Sequence, residues 1–365
     1  MKVSSSIENL VPYKPGKPIE ETKRELGLSE VTKLASNENA LGVSQKVVEA
    51  ISQAAHEIHR YPDPSCHKLT HKVASHYNMS AKKLAFGNGS NEVIDLLIRI
   101  FCEPDDNIVT SKAAFVAYKV CATAARVHVK EAPMTEDLRF DLEKIKQLCE
   151  EHKPKIVFIA NPNNPTGTYL TKTELFEFVE SQKNKTDQLI VIDEAYFEFV
   201  RAEDAPNALE LLDSYQNVAV IRTFSKVFGL AGLRLGALFA HEKILDYYNR
   251  VRNPFNVNSL SQAGALAALD DKDYLKASQD MVWSGLDYFY KELQDMGVAY
   301  WPSQANFVLI DVKKNAVSVY EELLKLGIIL RPVNNYGFES LLRLSVGTHD
   351  ENQKAIQALK TVLKK

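Results

Sequence analysis

Leu189-Ile190-Val191-Ile192-Asp193-Glu194-Ala195-Tyr196 decides the fold: an apolar run without alternation, closed by a carboxylate and, three residues later, a phenol. A strand that is apolar on both faces is buried on both faces, as in the middle of a parallel sheet covered by helices. Comparable runs stand at Asn107–Thr110, Arg126–Val129 and Ile156–Ala160 upstream and Val218–Arg222 downstream. Amphipathic stretches at Ser90–Cys102, Asp141–His152 and Thr171–Asn184 separate them, two opening with good N-cap residues. The alternation from about Lys83 to Ala240 predicts an α/β chain with a mostly parallel central sheet flanked by helices.

The strand ends carry the chemistry. Ile156–Ala160 runs into Asn161-Pro162-Asn163-Asn164-Pro165-Thr166-Gly167, and Val218–Ile221 runs into Thr223-Phe224-Ser225-Lys226-Val227-Phe228-Gly229-Leu230-Ala231-Gly232-Leu233-Arg234. In a parallel sheet the carboxyl ends share one edge, so Asn164, Asp193 and Lys226 are expected to converge on one crevice. Lys226 is bracketed by small hydroxyls and glycines instead of other charges. A lysine projecting from a strand end into a lined cavity loses water, which lowers its pKa and makes it a usable amine. Gly87-Asn88-Gly89-Ser90-Asn91-Glu92 precedes the helical Val93-Ile94-Asp95-Leu96-Leu97, a tight turn feeding free N–H groups at a helix start. That arrangement suits a phosphate, although helix capping explains Ser90 equally well, and a plain β-turn would use the Asn164-Pro165-Thr166-Gly167 residues.

At 365 residues the chain can bury a large core and form two lobes. A formal net charge of −3 with interspersed charges leaves no basic footprint for nucleic acid, and no stretch reaches the roughly 20 apolar residues that span a bilayer. With no apolar amino-terminal segment, the expected compartment is the cytoplasm. Cys66, Cys102, Cys121 and Cys149 are widely spaced and read as reduced structural thiols. His67 with His71, and His56 with His59, could each share a helix face, but no glutamate or cysteine cluster accompanies them; no metal is expected. Residues 1–35, with Pro12, Pro15 and Pro18, read as an extended arm packing on a small domain, residues 36–272 as the large domain. Residues 273–365 read as a smaller α+β domain: a long helix from about Asp273 to Met296, then Asn306–Val312, Ala316–Leu326, Ile328–Val333, Leu341–Val346 and a helix over His349–Leu363.

The ordered set Asn-Pro-Thr-Gly, Asp193-x-x-Tyr196, Ser225-Lys226 with Arg234 eight residues on, and Arg343 in Leu342-Arg343-Leu344-Ser345 resembles the fold-type I aminotransferases, which use pyridoxal 5′-phosphate. Leu10-Val11-Pro12-Tyr13, Leu34-Ala35-Ser36-Asn37-Glu38-Asn39, His59-Arg60-Tyr61-Pro62-Asp63 and Arg343-Leu344-Ser345-Val346-Gly347-Thr348 narrow the likeness to histidinol-phosphate aminotransferases, nearly end to end.

The resemblance implies roles. Lys226 would take the cofactor aldehyde, Asp193 would keep the pyridine nitrogen protonated, and Tyr196 with Asn164 would hydrogen-bond the ring oxygen. Gly89, Ser90, Asn91, Thr223, Ser225 and Arg234 would grip the phosphate, and Phe115 would stack on the ring. Arg343, an arginine in an apolar strand pattern, would anchor a substrate anion; a structural salt bridge is its other reading. Arg331 resembles a second arginine on the phosphate side, and Asn37 falls among the substrate contacts. Tyr61 would cross from a two-fold-related subunit to the cofactor phosphate and Tyr13 to the neighbour's substrate, which makes a homodimer the expected assembly. Two departures stand out: Ala113-Ala114-Phe115 where the family usually has a proline and a tyrosine, and Ala40 where it commonly has proline. The implied reaction moves the amino group of L-histidinol phosphate to 2-oxoglutarate. An aromatic amino-acid aminotransferase, an amino-acid-phosphate decarboxylase and a non-catalytic cofactor-binding regulator remain open on the same scaffold.

Overall fold

The structure, a computed structural model, describes residues 3–8, 10 and 16–364. Seven strands form the large sheet: β1 (Leu84–Asn88), β2 (Asn107–Ser111), β3 (His128–Ala132), β4 (Ile156–Ala160), β5 (Leu189–Asp193), β6 (Val218–Thr223) and β7 (Leu235–Ala240). Their order is β1-β7-β6-β5-β4-β2-β3, and only β7 runs against its neighbours. Every residue of β4, β5, β6 and β7 is buried, as the non-alternating runs require. Helices Ser90–Phe101, Leu142–His152 and Lys172–Gln182 lie within a few residues of their expected bounds. Asp141 and Thr171 cap the latter two, Thr171 in a reciprocal box with Glu174.

Two readings move. The strand expected at Arg126–Val129 begins at His128 because Arg126 sits in the left-handed region (φ 65°), its carbonyl accepting the Asp105 N–H. The single strand expected over Ile328–Val333 splits. Thr32–Lys33 pairs in parallel with Ile328–Ile329, whereas Arg331–Pro332 joins a second sheet. That sheet is antiparallel, β8 (Ala299–Trp301), β9 (Phe307–Asp311), β10 (Arg331–Pro332) and β11 (Leu341–Ser345) in the order β10-β11-β9-β8. Pro332 offers no N–H and occupies an edge, the place a sheet tolerates it. Helices Lys272–Asp295, Ala316–Lys325 and His349–Leu363 accompany this smaller sheet. Among the described residues no helix is long and apolar enough to cross a membrane.

One contact on the large sheet shapes the site. Gly87 and Gly236 face each other across β1 and β7, and a Cβ on Gly236 would lie 2.5 Å from the Ser90 nitrogen. Glycine on β7 therefore lets the start of helix Ser90–Phe101 press against the strand.

Candidate active site

The carboxyl ends of β4, β5 and β6 open onto a cavity of about 380 Å³. Asn164 follows β4, Asp193 ends β5, and Thr223, Ser225 and Lys226 follow β6; all line it. Ser90 and Asn91 enter from the helix after β1, Phe115 from the segment after β2, Arg234 from the turn before β7. Asn37 and Tyr196 contribute from loops, and Arg343 from β11 of the second sheet.

Lys226 is half-buried at the cavity floor, its Nζ 3.4 Å from the Asn37 carbonyl, 3.5 Å from the Ser36 carbonyl and 5.6 Å from the Tyr196 ring centre. Burial pushes its pKa down to about 8, with the guanidiniums of Arg343 and Arg234 acting the same way. The Asp193 carboxyl is buried, and loss of water raises its pKa to about 6. Its Oδ2 accepts a 2.7 Å bond from Tyr118 Oη and its Oδ1 a 3.1 Å bond from the Ala195 N–H. A buried acid with its pKa near 6 and an amine with its pKa near 8 bracket neutrality, which places two exchangeable protons in one cavity.

Tyr196 Oη accepts from Asn37 Nδ2 at 2.9 Å and from Asn164 Nδ2 at 3.2 Å. Burial pushes this phenol up to about 12, so it keeps its proton. Arg343 reaches across from the second sheet: Nη1 donates to Asn164 Oδ1 at 2.6 Å and Nη2 to the Ala35 carbonyl at 2.6 Å. Its backbone lies in an apolar strand while its guanidinium faces the cavity. An arginine so placed fixes a carboxylate or phosphate in a dry site.

The opposite end has features suited to an anion. Gly89 adopts φ 80°, ψ 163°, a combination almost restricted to glycine, immediately before the twelve-residue helix Ser90–Phe101. A Cβ there would lie 3.0 Å from Arg234 Cζ and inside contact distance of Nη2. The loop is thus cut to let the guanidinium cross it beside the free N–H groups of the helix start. Thr223 and Ser225 line the same cavity.

Some expected residues lie elsewhere. Arg331 sits half-buried on β10 outside the cavity lining. Tyr61 is 82% exposed and stacks on Phe255 with centroids 4.6 Å apart. Tyr13 lies outside the described residues. His67 and His71 share the exposed face of helix His67–His76. Two groups escaped the sequence reading. Tyr118, fully buried, touches Asp193, and only its phase in helix Ala117–Ala124 could have placed it. Beneath the floor, Arg222 pairs with Glu194, both about 1% exposed, while its guanidinium lies 3.6 Å from the Phe197 ring centre.

The sequence matches the family described as aminotransferase class I and II over residues 29–359. It is 52% identical over 367 residues to a histidinol-phosphate aminotransferase of Bdellovibrio bacteriovorus, covering 100% of this chain and 99% of that one. It is 42% identical to one from Anaeromyxobacter, with 99% of both covered. In structure it is similar to the histidinol-phosphate aminotransferase of Sinorhizobium meliloti solved with pyridoxal-5′-phosphate: TM-score 0.91, 28% identity, 100% of this chain and 98% of the other. An L-threonine-O-3-phosphate decarboxylase from Porphyromonas gingivalis, at 21% identity and TM-score 0.79 over 92% of this chain and all of the other, shares the fold.

Proposed function

Because the chain belongs to the class I and II aminotransferases, and within them to the histidinol-phosphate aminotransferases, we propose that it moves the amino group of L-histidinol phosphate to 2-oxoglutarate. The products are imidazole acetol phosphate and L-glutamate, a step of histidine biosynthesis. The observation that carries this reading is one cavity holding a lysine near pKa 8, a buried carboxyl and a helix-start anion cradle. The residues fit pyridoxal 5′-phosphate: glycine at Gly89 leaves space for Arg234 where a phosphate would lie, and Asp193 is a buried acid in want of a cationic partner. When bound, that cofactor supplies an aldehyde for an amine and a ring that draws electrons from the carbon bearing it.

The protein's own groups do the rest. Lys226 would hold the cofactor through Nζ and serve as the base for the donor's Cα proton; its lowered pKa leaves a usable fraction unprotonated near neutrality. Asp193 would pair with the ring nitrogen and stabilise positive charge there. Tyr196 and Asn164 would hydrogen-bond the ring oxygen and Phe115 would pack against the ring face; all three line the cavity. Ser90, Asn91, Ser225, Thr223 and Arg234 would hold the cofactor phosphate, with Gly89 providing the turn. Arg343, with Asn37 beside it, binds the anionic end of donor and acceptor in turn, Arg331 standing further out. Across a two-fold axis, Tyr61 and Tyr13 complete the partner's site in a homodimer; the exposed Tyr61–Phe255 stack with Ile58 and Val251 nearby in sequence supports such a face. The phosphorylated substrate and cofactor suit a cytoplasmic enzyme.

Comparing kcat/KM for histidinol phosphate, phenylalanine and threonine phosphate tests the substrate, with histidinol phosphate expected to dominate. A dominant rate with phenylalanine would replace the donor assignment, and carbon dioxide release from threonine phosphate would replace transamination. Borohydride reduction followed by peptide mass spectrometry tests the chemistry: the cofactor should be fixed to Lys226. No adduct and no visible absorption band on adding cofactor would leave a binding role without catalysis.

A further inference from the structure

We propose that Tyr118 is a positioning residue: by donating its phenolic proton to Asp193 it fixes both the orientation and the negative charge of that carboxylate. The inference rests on Asp193 being the partner of the ring nitrogen. Asp193 has two oxygen atoms and few stabilising neighbours. Oδ1 takes the Ala195 N–H at 3.1 Å and Oδ2 takes Tyr118 Oη at 2.7 Å. Lys226 donates to the carbonyls of Ser36 and Asn37 and favours the charge on Asp193 only through space, without a hydrogen bond. Glu194, the next residue, opposes the charge on Asp193, and Tyr196 keeps its own proton. One backbone donor and one phenol therefore carry a carboxylate that is otherwise stripped of water.

The phenol is held for that task. Tyr118 is fully buried and stacks on Phe158 of β4, centroids 4.6 Å apart and planes 9° from parallel. Phe115, the residue assigned to the cofactor face, meets its ring edge-on at 5.9 Å. Burial and the neighbouring Asp193 push the Tyr118 phenol well above its ordinary range, so it remains a donor at every working pH. Helix Ala117–Ala124 thus supplies a cavity wall through Val120 and Cys121 and, from its first turn, the proton that steadies the acid.

The test uses the cofactor-free protein, so its outcome is separate from that of the borohydride experiment at Lys226. Infrared difference spectra of ¹³C-aspartate-labelled protein, with Asp193→Asn to identify the band, follow protonation of the Asp193 carboxyl against pH. The midpoint is expected near 6 in the unaltered protein. Loss of a hydrogen bond to a charged group in Tyr118→Phe should raise it by about one to two pH units. A tyrosine at 118 carrying two ring fluorines, a stronger donor of nearly the same shape, should lower it. An unchanged midpoint in folded Tyr118→Phe overturns the proposal. If that variant does not fold, the fluorinated protein decides, an unmoved midpoint again overturning it. A merely structural Tyr118 would lower the melting temperature and leave the titration in place.

Discussion

Replacing Gly89 by alanine separates two effects that the cradle geometry keeps distinct. The first is conformational: φ 80° with ψ 163° is nearly closed to residues bearing a Cβ, which costs about 1–3 kcal/mol of stability with or without ligand. The second concerns the anion. The new methyl would lie 3.0 Å from Arg234 Cζ, so the guanidinium must leave its place over the loop. A charge-assisted hydrogen bond is worth about 1.5–3 kcal/mol, so cofactor affinity should fall about ten- to a hundredfold. Fluorescence titration of the cofactor-free protein with pyridoxal 5′-phosphate measures the second effect, and urea unfolding measures the first. Because Gly89→Ala acts by displacing Arg234, Arg234→Ala added to it should weaken binding little further. Unchanged affinity in Gly89→Ala, or fully additive losses in the double variant, would refute the reasoning.

In the cofactor-free protein the Lys226 peptide should react with an amine-acylating reagent with a midpoint near pH 8 instead of 10.5, read by mass spectrometry. The folded-state pKa is the lower one, so the buried ammonium destabilises below pH 8 and the penalty fades as pH rises toward 10.5. Lys226→Met should therefore stabilise the cofactor-free protein at pH 7 by at most about 3 kcal/mol, a gain that shrinks toward pH 10 in denaturant titrations. Glu194→Gln leaves Arg222 charged and buried beneath the floor; unfolding experiments should register a loss of about 3–5 kcal/mol. Arg343→Lys cannot keep both 2.6 Å bonds to Asn164 and Ala35, and steady-state assays should show KM for donor and acceptor rising about tenfold or more, with kcat falling less.

What could be read from the residues alone follows from where the information sits. β4, β5 and β6 announce themselves because strands buried on both faces must be apolar throughout, and their polar successors converge because parallel carboxyl ends share an edge. β7 passed unread: Leu235–Ala240 is short and apolar, as consistent with a buried helix turn as with a strand, and its reversed direction appears only in its pairing with β1 and β6. The split of Ile328–Val333 depends on a partner nearly 300 residues earlier, Thr32–Lys33, which no local pattern encodes. Tyr118 escaped for a similar reason, since its bond to Asp193 spans 75 residues and arises from how its side chain stacks on Phe158 of β4 and reaches the end of β5.

The anchoring of Arg343 also bears on biogenesis. Its guanidinium is braced by the Ala35 carbonyl, and Thr32–Lys33 lies against Ile328–Ile329. A nascent polypeptide thus exposes the floor with Lys226 and Asp193 long before the closing wall emerges from the ribosome. Binding competence should arrive abruptly, once the segment around Arg343 clasps the one around Ala35.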